Sequence, residues 1–285
     1  MRDIENAEAG GAVVKGFIGP PGGGAKMTAN GMERKIQDRD ISLTFAKGMS
    51  VLKAFDTSST HLTLPQIART TGLDRATTRR LVLTLVHLGY VKQEDRVFSL
   101  TPRILVLAGG FLQGRQFGKT IEPVIRSFSN QISEPISMAM VDGDQAVYVA
   151  HAGARANSVS IGFTVGSKLS LLSSAIGRAL VAGYPAGEAE KLIATAPLVP
   201  FTNATSMDRD AIAADITATT QRGYAYVVGE FEAGVAAVAV PVRPDNAEPN
   251  AIGVSGDASR FEDPKVRQNI IETLRECAKV VAELL

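Results

Sequence analysis

"TGLDRATTRRLVLTLVHLGYV", residues 71–91, places three arginines close together and then changes at once to leucines. Asp74 is suited to cap a helix here, because its side chain accepts hydrogen bonds from the free N–H groups of a first turn. Arg75, Arg79 and Arg80 lie off the apolar stripe, so we expect them to face outward. A core helix needs no such cluster, whereas a helix that inserts into a polyanion does. The predicted stripe consists of Thr78, Leu81, Val82, Leu85 and Leu88.

The flanking segments predict the other elements of a winged helix-turn-helix. Apolar residues at helical spacing indicate a first helix that ends near Phe55 and a second helix that Thr63 caps and Gly72 ends. Behind the arginine helix, two short strand-like runs joined through Glu94 and Asp95 predict a β-hairpin, which is the wing. The residues that indicate these two helices are Phe45, Met49 and Leu52 in the first, and a buried stripe of Leu64, Ile67, Ala68 and Thr71 in the second.

The charge of this segment favours a DNA-binding surface over an ordinary solvated face. Seven basic and three acidic residues lie between Arg69 and Arg103, although the net charge of the 285-residue chain is only +1. The second helix of a helix-turn-helix enters the major groove with its N-terminal residues at the base edges, where arginine bonds guanine O6 and N7. We therefore assign base contacts to Arg75, Thr77 and Arg79. We assign to Arg80 either a phosphate contact or a role in bracing the fold, and to the Thr63 N–H a phosphate contact. Lys92 and Arg96 on the wing are expected to contact the DNA backbone or the minor groove.

The rest of the chain divides into further segments. Residues 1–40 are rich in glycine, but Met27 stands where Walker A needs a hydroxyl after the lysine, so we predict a flexible leader and no phosphate loop. The DNA-binding domain is predicted over 41–102, and helical patterns predict a linker over 103–132. Strand and helix patterns then follow through 133–285, which indicates an α+β sensor domain with helices flanking an antiparallel sheet.

Composition narrows the class of protein. Hydrophobic residues make up 45% of the chain and charged residues 21%, which is a globular composition. No apolar run approaches the roughly 20 residues of a membrane helix, and the N-terminal residues lack the pattern of a signal peptide. The single cysteine, Cys277, excludes an internal disulfide and fits a reducing compartment, so we expect a cytoplasmic protein.

An enzyme would need chemistry that the sequence does not present. His61 falls in a predicted loop, His87 on the arginine helix and His151 at a strand end, where a solvated or hydrogen-bonded structural histidine is favoured over a pocket role. HExxH, CxxC and G-x-S-x-G spacings are absent. We therefore expect no enzymatic activity, no metal site and no cofactor.

The winged-helix segment resembles the DNA-binding half of IclR-type (isocitrate lyase regulator) transcription factors, and in particular the subgroup that controls protocatechuate, 4-hydroxybenzoate and β-ketoadipate catabolism. The similarity rests on LTLPQIARTTGLDRATTRRLVLTLVHLGYVKQEDRVFSLTPRILVLA, residues 62–108, and on SMAMVDGDQAVYVAH, SSAIGRALVAG, RGYAYVVGEFEAGVAAVAVPVR and AIGVSG further on. It extends from Ser42 to Leu285. The resemblance implies a GAF-like effector-binding domain and a homo-oligomer, either a dimer or a dimer of dimers.

The resemblance also implies an effector pocket between the sheet and the helix that starts near Ser174. The family's lining carries over to Ser174, Ala175, Ile176, Val227, Val235, Ala237, Gly253 and Ser255. Ordinary core is the alternative for the alanines and valines. The hydroxyls of Ser173, Ser174 and Ser255 need partners if they are buried, and a ligand carboxylate at the helix N-terminus would supply one. Arg155 and Arg178 are candidate counter-charges, although a surface position is favoured for each.

The sequence departs from the family pattern at two places. Related regulators usually carry an acidic or amide residue where this chain has Val227, Val228 and Gly229. This loss favours a bulkier aromatic acid over a small polar acid. Asp95 stands where the wing turn often has glycine, and aspartate tolerates the left-handed conformation.

These observations predict a sequence-specific DNA-binding transcriptional regulator modulated by a small carboxylic acid, an aromatic catabolite. The alternative left open is a ligand-independent DNA-binding protein whose C-terminal domain serves only oligomerisation. The expected partners are double-stranded DNA, the acid effector and further copies of the chain, without a membrane.

Overall fold

The computed structural model of the chain describes residues 40–56, 59–153, 164–245 and 247–285. The chain forms two compact units, and the boundary between them falls between Val106 and Leu107. The expected fold class is confirmed, because a winged helix-turn-helix precedes an α+β unit built on an antiparallel sheet. Among these residues, no helix is long and apolar enough to cross a bilayer.

The first unit packs three helices against a small sheet. The helices are α1 (Leu43–Lys53), α2 (Leu64–Thr71) and α3 (Arg75–His87), and the strands are β1 (Leu62–Thr63), β2 (Val91–Glu94) and β3 (Val97–Leu100). The strand order is β1-β3-β2, with both neighbouring pairs antiparallel. The turn between α2 and α3 begins at Gly72, whose φ of 69° lies in the left-handed region that glycine adopts without steric cost.

The core of the first unit agrees with the predicted stripe of α3 except at its end. Thr78, Leu81, Val82 and Leu85 are buried, whereas Leu88 is 47% exposed. Leu88 is the C-cap residue, so it has already left the buried face of the helix. In α2 only Ile67 is buried, and the other three stripe residues are partly buried.

Helix α1 turns a different face to the core than the one that indicated it. Phe45 is 69% exposed and Met49 is 39% exposed, whereas Val51 is completely buried. The i, i+4, i+7 spacing identified a helix correctly but not its buried side, because apolar residues lie on two sides of this helix.

Three helical segments follow the wing: α4 (Arg103–Gly114), a π-helical turn (Phe117–Ile121) and α5 (Glu122–Ile132). Gln116, between the first two, has a φ of 54°. The boundary between the two units, between Val106 and Leu107, falls inside α4. The side chains of Leu105, Val106 and Leu107 are 70%, 74% and 60% exposed there. Ile121 and Ile125 lie in the core of the second unit, so the later part of segment 103–132 is integral to that unit.

The second unit is a six-stranded antiparallel sheet with helices on both faces. The strands are β4 (Ile136–Asp142), β5 (Gln145–Ala152), β6 (Lys168–Ser170), β7 (Ala225–Val228), β8 (Val235–Val242) and β9 (Asn250–Asp257), in the order β6-β5-β4-β9-β8-β7. The remaining helices are α6 (Ala175–Gly183), α7 (Ala186–Thr195), α8 (Arg209–Arg222), α9 (Ala258–Glu262) and α10 (Pro264–Leu284).

The two faces of this sheet differ in side-chain size. Successive side chains of a strand point to opposite faces, and on β8 Val238 and Val240 join the core with α5 and α10 while Ala239 joins the core with α6. The start of helix α6 packs closely against the end of strand β6, since a Cβ on Gly177 would lie 2.3 Å from the Ser170 carbonyl oxygen. Small residues therefore line the α6 face, where the cavity described below is found.

Candidate functional site

The arginine helix α3 presents its charges to solvent behind a well-formed cap. The Asp74 side chain accepts a hydrogen bond from the Thr77 backbone N–H at 2.9 Å, and hydrogen bonds from the side chain and backbone of Thr77 lower the pKa of Asp74. Arg75, Arg79 and Arg80 are exposed, whereas Thr77 is partly buried beside the cap. The structure thus leaves the three arginines accessible and makes Thr77 the least accessible of the residues assigned to DNA on this helix.

The wing exposes both of its candidate residues. Lys92 Nζ lies 2.7 Å from Glu94 Oε1, and both side chains are more than half exposed. Arg96 follows Asp95 at the turn, and Asp95 adopts the expected left-handed conformation with a φ of 55°. Lys92 therefore has to exchange Glu94 for a phosphate if it contacts DNA.

The N–H of Thr63 is already occupied. It donates to Gln66 Oε1 at 2.8 Å, and the Thr63 hydroxyl donates to the same oxygen at 2.7 Å. Thr63 is the N-cap of α2, as predicted, but the phosphate contact assigned to its N–H requires the Gln66 side chain to move away. The spacing of Thr63 and Gln66 is the sequence signature of a capping box, so the sequence carried a signal for this competition that the assignment of Thr63 to phosphate overlooked.

Arg103, counted with the basic residues of this segment, braces the fold. Its Nη1 donates to the Leu88 carbonyl, and its guanidinium lies 6.0 Å from the centroid of the Tyr90 ring. Gly89 makes room for it, since a Cβ at that position would lie 2.9 Å from Arg103 Nη1. Arg103 therefore holds the end of α3 against the start of the wing.

In the second unit, one cavity of about 60 Å³ lies between the sheet and the start of α6. A single water needs about 10–15 Å³ on this scale, so the space exceeds one water. All nine residues assigned to the effector pocket line it: Ser173, Ser174, Ala175, Ile176, Val227, Val235, Ala237, Gly253 and Ser255. They come from α6 and its preceding turn, β7, β8 and β9, which only the sheet order brings together.

The serines of the cavity are not equivalent. Ser174 is the N-cap of α6: its hydroxyl donates to the Ser170 carbonyl at 2.6 Å and accepts from the Gly177 N–H at 3.1 Å. The Ser173 hydroxyl is completely buried and has no hydrogen-bond partner among the described residues. Of the hydroxyls that were expected to need a partner if buried, that of Ser174 finds its partners within the protein, whereas that of Ser173 finds none among the described residues.

Arg178 is neither a surface charge nor a residue of the cavity wall, so the favoured surface position was wrong. Its side chain is 5% exposed and forms ion pairs with Asp215 at 3.0 Å and Glu230 at 2.7 Å. Its Nε also donates to the Leu172 carbonyl at 2.7 Å. The guanidinium thus holds the turn before α6, helix α8 and the β7–β8 turn together, and its charge is already offset. The other candidate, Arg155, lies outside the described residues.

Two carboxyl groups on the cavity wall were not predicted. Glu230 and Glu232 follow Val228 and Gly229, where the departure from the family pattern indicated only a loss of polar groups. Glu230 is bound by Arg178, and its Oε2 also accepts from the Ser206 N–H at 3.0 Å. Burial raises the pKa of Glu232 above its ordinary value. The lining is therefore less apolar than expected, because the β7–β8 turn brings acids to the cavity that a strand pattern does not reveal.

His151 lies behind the cavity wall. Its Nδ1 is 2.9 Å from the hydroxyl of Ser137, and Ser137 lines the cavity. Burial is the main cause that lowers the pKa of His151. Tyr148, from the same strand, also lines the cavity, and burial raises its pKa. His151 thus reaches the cavity only through Ser137.

Comparison with known proteins assigns a family to both units. Residues 44–95 match the IclR helix-turn-helix domain, and residues 110–283 match the family described as bacterial transcriptional regulator IclR C-terminal. The Pca regulon regulatory protein of Pseudomonas putida is 29% identical over 238 residues, which are 83% of this chain and 82% of that protein.

Solved structures share the whole architecture. A crystal structure from Rhodococcus sp. RHA1 is 32% identical with a TM-score of 0.70, and the match covers 86% of this chain and 98% of the other. An IclR homolog from Microbacterium hydrocarbonoxydans, complexed with 4-hydroxybenzoate, has a TM-score of 0.70 over 85% and 98% of the chains. At 21% identity this second likeness shows the fold alone.

Proposed function

We propose that this chain, which belongs to the IclR family of bacterial transcriptional regulators, binds a specific operator and that an aromatic carboxylic acid modulates this binding. Relatives include the Pca regulon regulatory protein of Pseudomonas putida and the p-hydroxybenzoate hydroxylase transcriptional activator of Acinetobacter baylyi, which is consistent with the aromatic-catabolite subgroup. Binding to chromosomal DNA requires a cytoplasmic location.

The exposed arginines of α3 support the DNA-binding part of the proposal. Arg75 and Arg79 lie in the first two turns behind the Asp74 cap, where a recognition helix meets base edges. Arg80, Lys92 and Arg96 add positive charge for phosphates, whose neutralisation supplies most of the sequence-independent affinity.

The cavity carries the effector part of the proposal, and its central observation is the buried Ser173 hydroxyl, which has no partner in the part of the chain that the structure describes. A buried hydroxyl without a hydrogen bond is costly, so a ligand acceptor at this position stabilises the protein. A carboxylate fits, because Ser173 and the first turn of α6 offer donors and a helix N-terminus favours negative charge. Ile176, Val227 and Val235 form apolar walls for a ring.

We also propose a homo-oligomer, a dimer or a dimer of dimers. A pseudo-palindromic operator presents two half-sites to two recognition helices of a symmetric dimer. Exposed apolar side chains on α1 (Leu43 at 69% and Phe45 at 69%) and on α4 (Phe111 at 48%) provide surface for a second copy.

Ligand binding and DNA binding are coupled through the chain segment 103–132 in this proposal. Such coupling is a free energy shared between two sites, so DNA must change the affinity for the ligand by the same factor as the ligand changes the affinity for DNA. A ligand that does not alter DNA affinity at all contradicts the coupling.

The test is fluorescence anisotropy with labelled DNA from upstream of the protein's own gene and with random DNA as the control. We expect preferential binding to the upstream DNA, a loss of affinity as salt rises, and a shift in affinity with protocatechuate or 4-hydroxybenzoate. Equal binding to both DNAs would overturn the operator proposal.

The second candidate is a ligand-independent DNA-binding protein whose second unit serves only oligomerisation. The exposed apolar residues of α4 favour it, since they need no ligand. Thermal unfolding separates the two candidates: an acid that binds the native state raises the midpoint by mass action, whereas none does so under the alternative.

A further inference from the structure

The charges around the cavity are unevenly compensated. Glu230 and Glu232 line it, whereas no lysine, arginine or histidine of the described part of the chain does. Arg178 lies just outside and pairs with Glu230, so the charge of Glu230 is offset. Glu232 is the remaining acidic group on the wall.

The side chain of Glu232 has unused hydrogen-bonding capacity. It is partly buried, and it forms no ion pair or side-chain hydrogen bond with another described residue. Only its backbone carbonyl is engaged, by the Val235 N–H at 3.2 Å. The short turn between β7 and β8, which contains Gly229 and Gly234 with φ of 68° and 77°, holds the residue at the wall. An ionised carboxylate accepts hydrogen bonds and offers no donor.

Two groups of opposite requirement therefore border one cavity. Ser173 offers a buried hydroxyl that has no acceptor among the described residues, and Glu232 offers a partly buried carboxylate that can accept a hydrogen bond. A ligand with one carboxylate and one hydroxyl on a ring satisfies both, whereas a second carboxylate would meet Glu232 as a like charge in a poorly solvated space.

We propose that Glu232 sets the ligand class of this site: it accepts a hydrogen bond from a ring hydroxyl of a monocarboxylic aromatic acid and excludes dicarboxylic acids. The assignment rests on the proposed function, since it concerns the same cavity. It narrows the candidate acids, because protocatechuate and 4-hydroxybenzoate carry the hydroxyl and β-ketoadipate carries the second carboxylate.

The experiment is calorimetric titration of the full-length protein with three probes: 4-hydroxybenzoate, benzoate and adipate. We expect wild type to prefer 4-hydroxybenzoate over benzoate by about tenfold or more, as for a hydrogen bond to a charged group, and to bind adipate undetectably. Adipate serves as a stable dicarboxylic probe.

Two substitutions separate the acceptor role of Glu232 from its charge. Glu232→Gln keeps an acceptor and removes the charge, so we expect the preference for the hydroxyl to persist and adipate to bind. Glu232→Leu removes both, so we expect 4-hydroxybenzoate and benzoate to bind within about threefold of each other. Glu276→Gln, at an exposed position of α10, is the matched control and should leave all three affinities unchanged. Circular dichroism of each variant verifies that it is folded.

The outcomes are distinguishable. If wild type binds the aromatic acids but Glu232→Leu keeps the wild-type preference, or if wild type binds adipate as tightly as 4-hydroxybenzoate, the role of Glu232 is overturned and the effector site stands. If wild type binds none of the three acids, the proposed effector site is overturned, and the role of Glu232 with it.

Discussion

Replacement of Arg178 by methionine tests whether its ion pairs hold the cavity in place. Methionine keeps much of the side-chain length and apolar volume but removes the guanidinium. The change leaves Glu230, 15% exposed, without its cation, whereas Asp215 keeps Arg222 at 2.9 Å. The Leu172 carbonyl also loses a donor.

The expected cost follows from this geometry. Removal of one partner from a buried pair costs about 3–5 kcal/mol, because an uncompensated charge is left behind. Asp215 retains a partner and the Glu230 carboxylate still accepts from the Ser206 N–H, so we expect the lower end, about 3 kcal/mol. At about 2–4 °C per kcal/mol for a unit of this size, the thermal midpoint should fall by roughly 6–12 °C.

The unfolding of the second unit is measured by urea titration with the near-ultraviolet tyrosine signal. The chain has no tryptophan and five tyrosines, and Tyr148, Tyr184, Tyr224 and Tyr226 lie in that unit. Arg126→Met is the matched control, since its ion pair with Glu122 is exposed on α5 and should contribute less than about 1 kcal/mol.

A second variant determines whether the orphaned charge causes the loss. The double substitution Arg178→Met with Glu230→Gln neutralises that charge and should recover at least about 1 kcal/mol of unfolding free energy. The Arg178 ion pairs do not hold the cavity in place if Arg178→Met costs no more than the Arg126→Met control, or if the double variant is as unstable as the sum of both single variants.

Three further predictions concern DNA, ligand and pH. Arg75→Ala should reduce discrimination between operator and random DNA by about 1–3 kcal/mol in anisotropy titrations, and unchanged discrimination would remove Arg75 from base readout. Ala237→Phe should fill the cavity, so that acids no longer shift operator affinity while operator binding itself persists; a retained response would place the ligand elsewhere. Glu232→Gln should stabilise the protein relative to wild type at pH 7 and not near pH 4. Burial raises the pKa of Glu232 in the folded protein above its ordinary value of 4.5. The wild-type protein therefore loses stability as pH rises from 4.5 through the raised pKa, whereas the glutamine side chain of the variant does not titrate. A difference in urea-unfolding free energy that is independent of pH would contradict this prediction.

Features that depend on neighbours along the chain could be predicted from the amino-acid sequence. The Asp74 cap, the α3 stripe up to Leu85, the outward arginines and the left-handed turn at Asp95 follow from helical spacing and local hydrogen bonding, whose range is three or four residues. The resemblance to a family added eight residues of the cavity wall, and the buried-hydroxyl argument added Ser173; no spacing rule joins these residues.

Tertiary structure alone decided which groups compete or cooperate inside the cavity. Arg178 finds its partners Asp215 and Glu230 at 37 and 52 residues further along the chain, and Glu232 reaches the wall through a turn between two strands. The sheet order β4-β9-β8-β7 and the close packing of the start of α6 against Ser170 and Leu171 bring these residues together. An isolated arginine or glutamate reads as a surface charge, because burial and pairing depend on the distances between elements and not on the spacing within one.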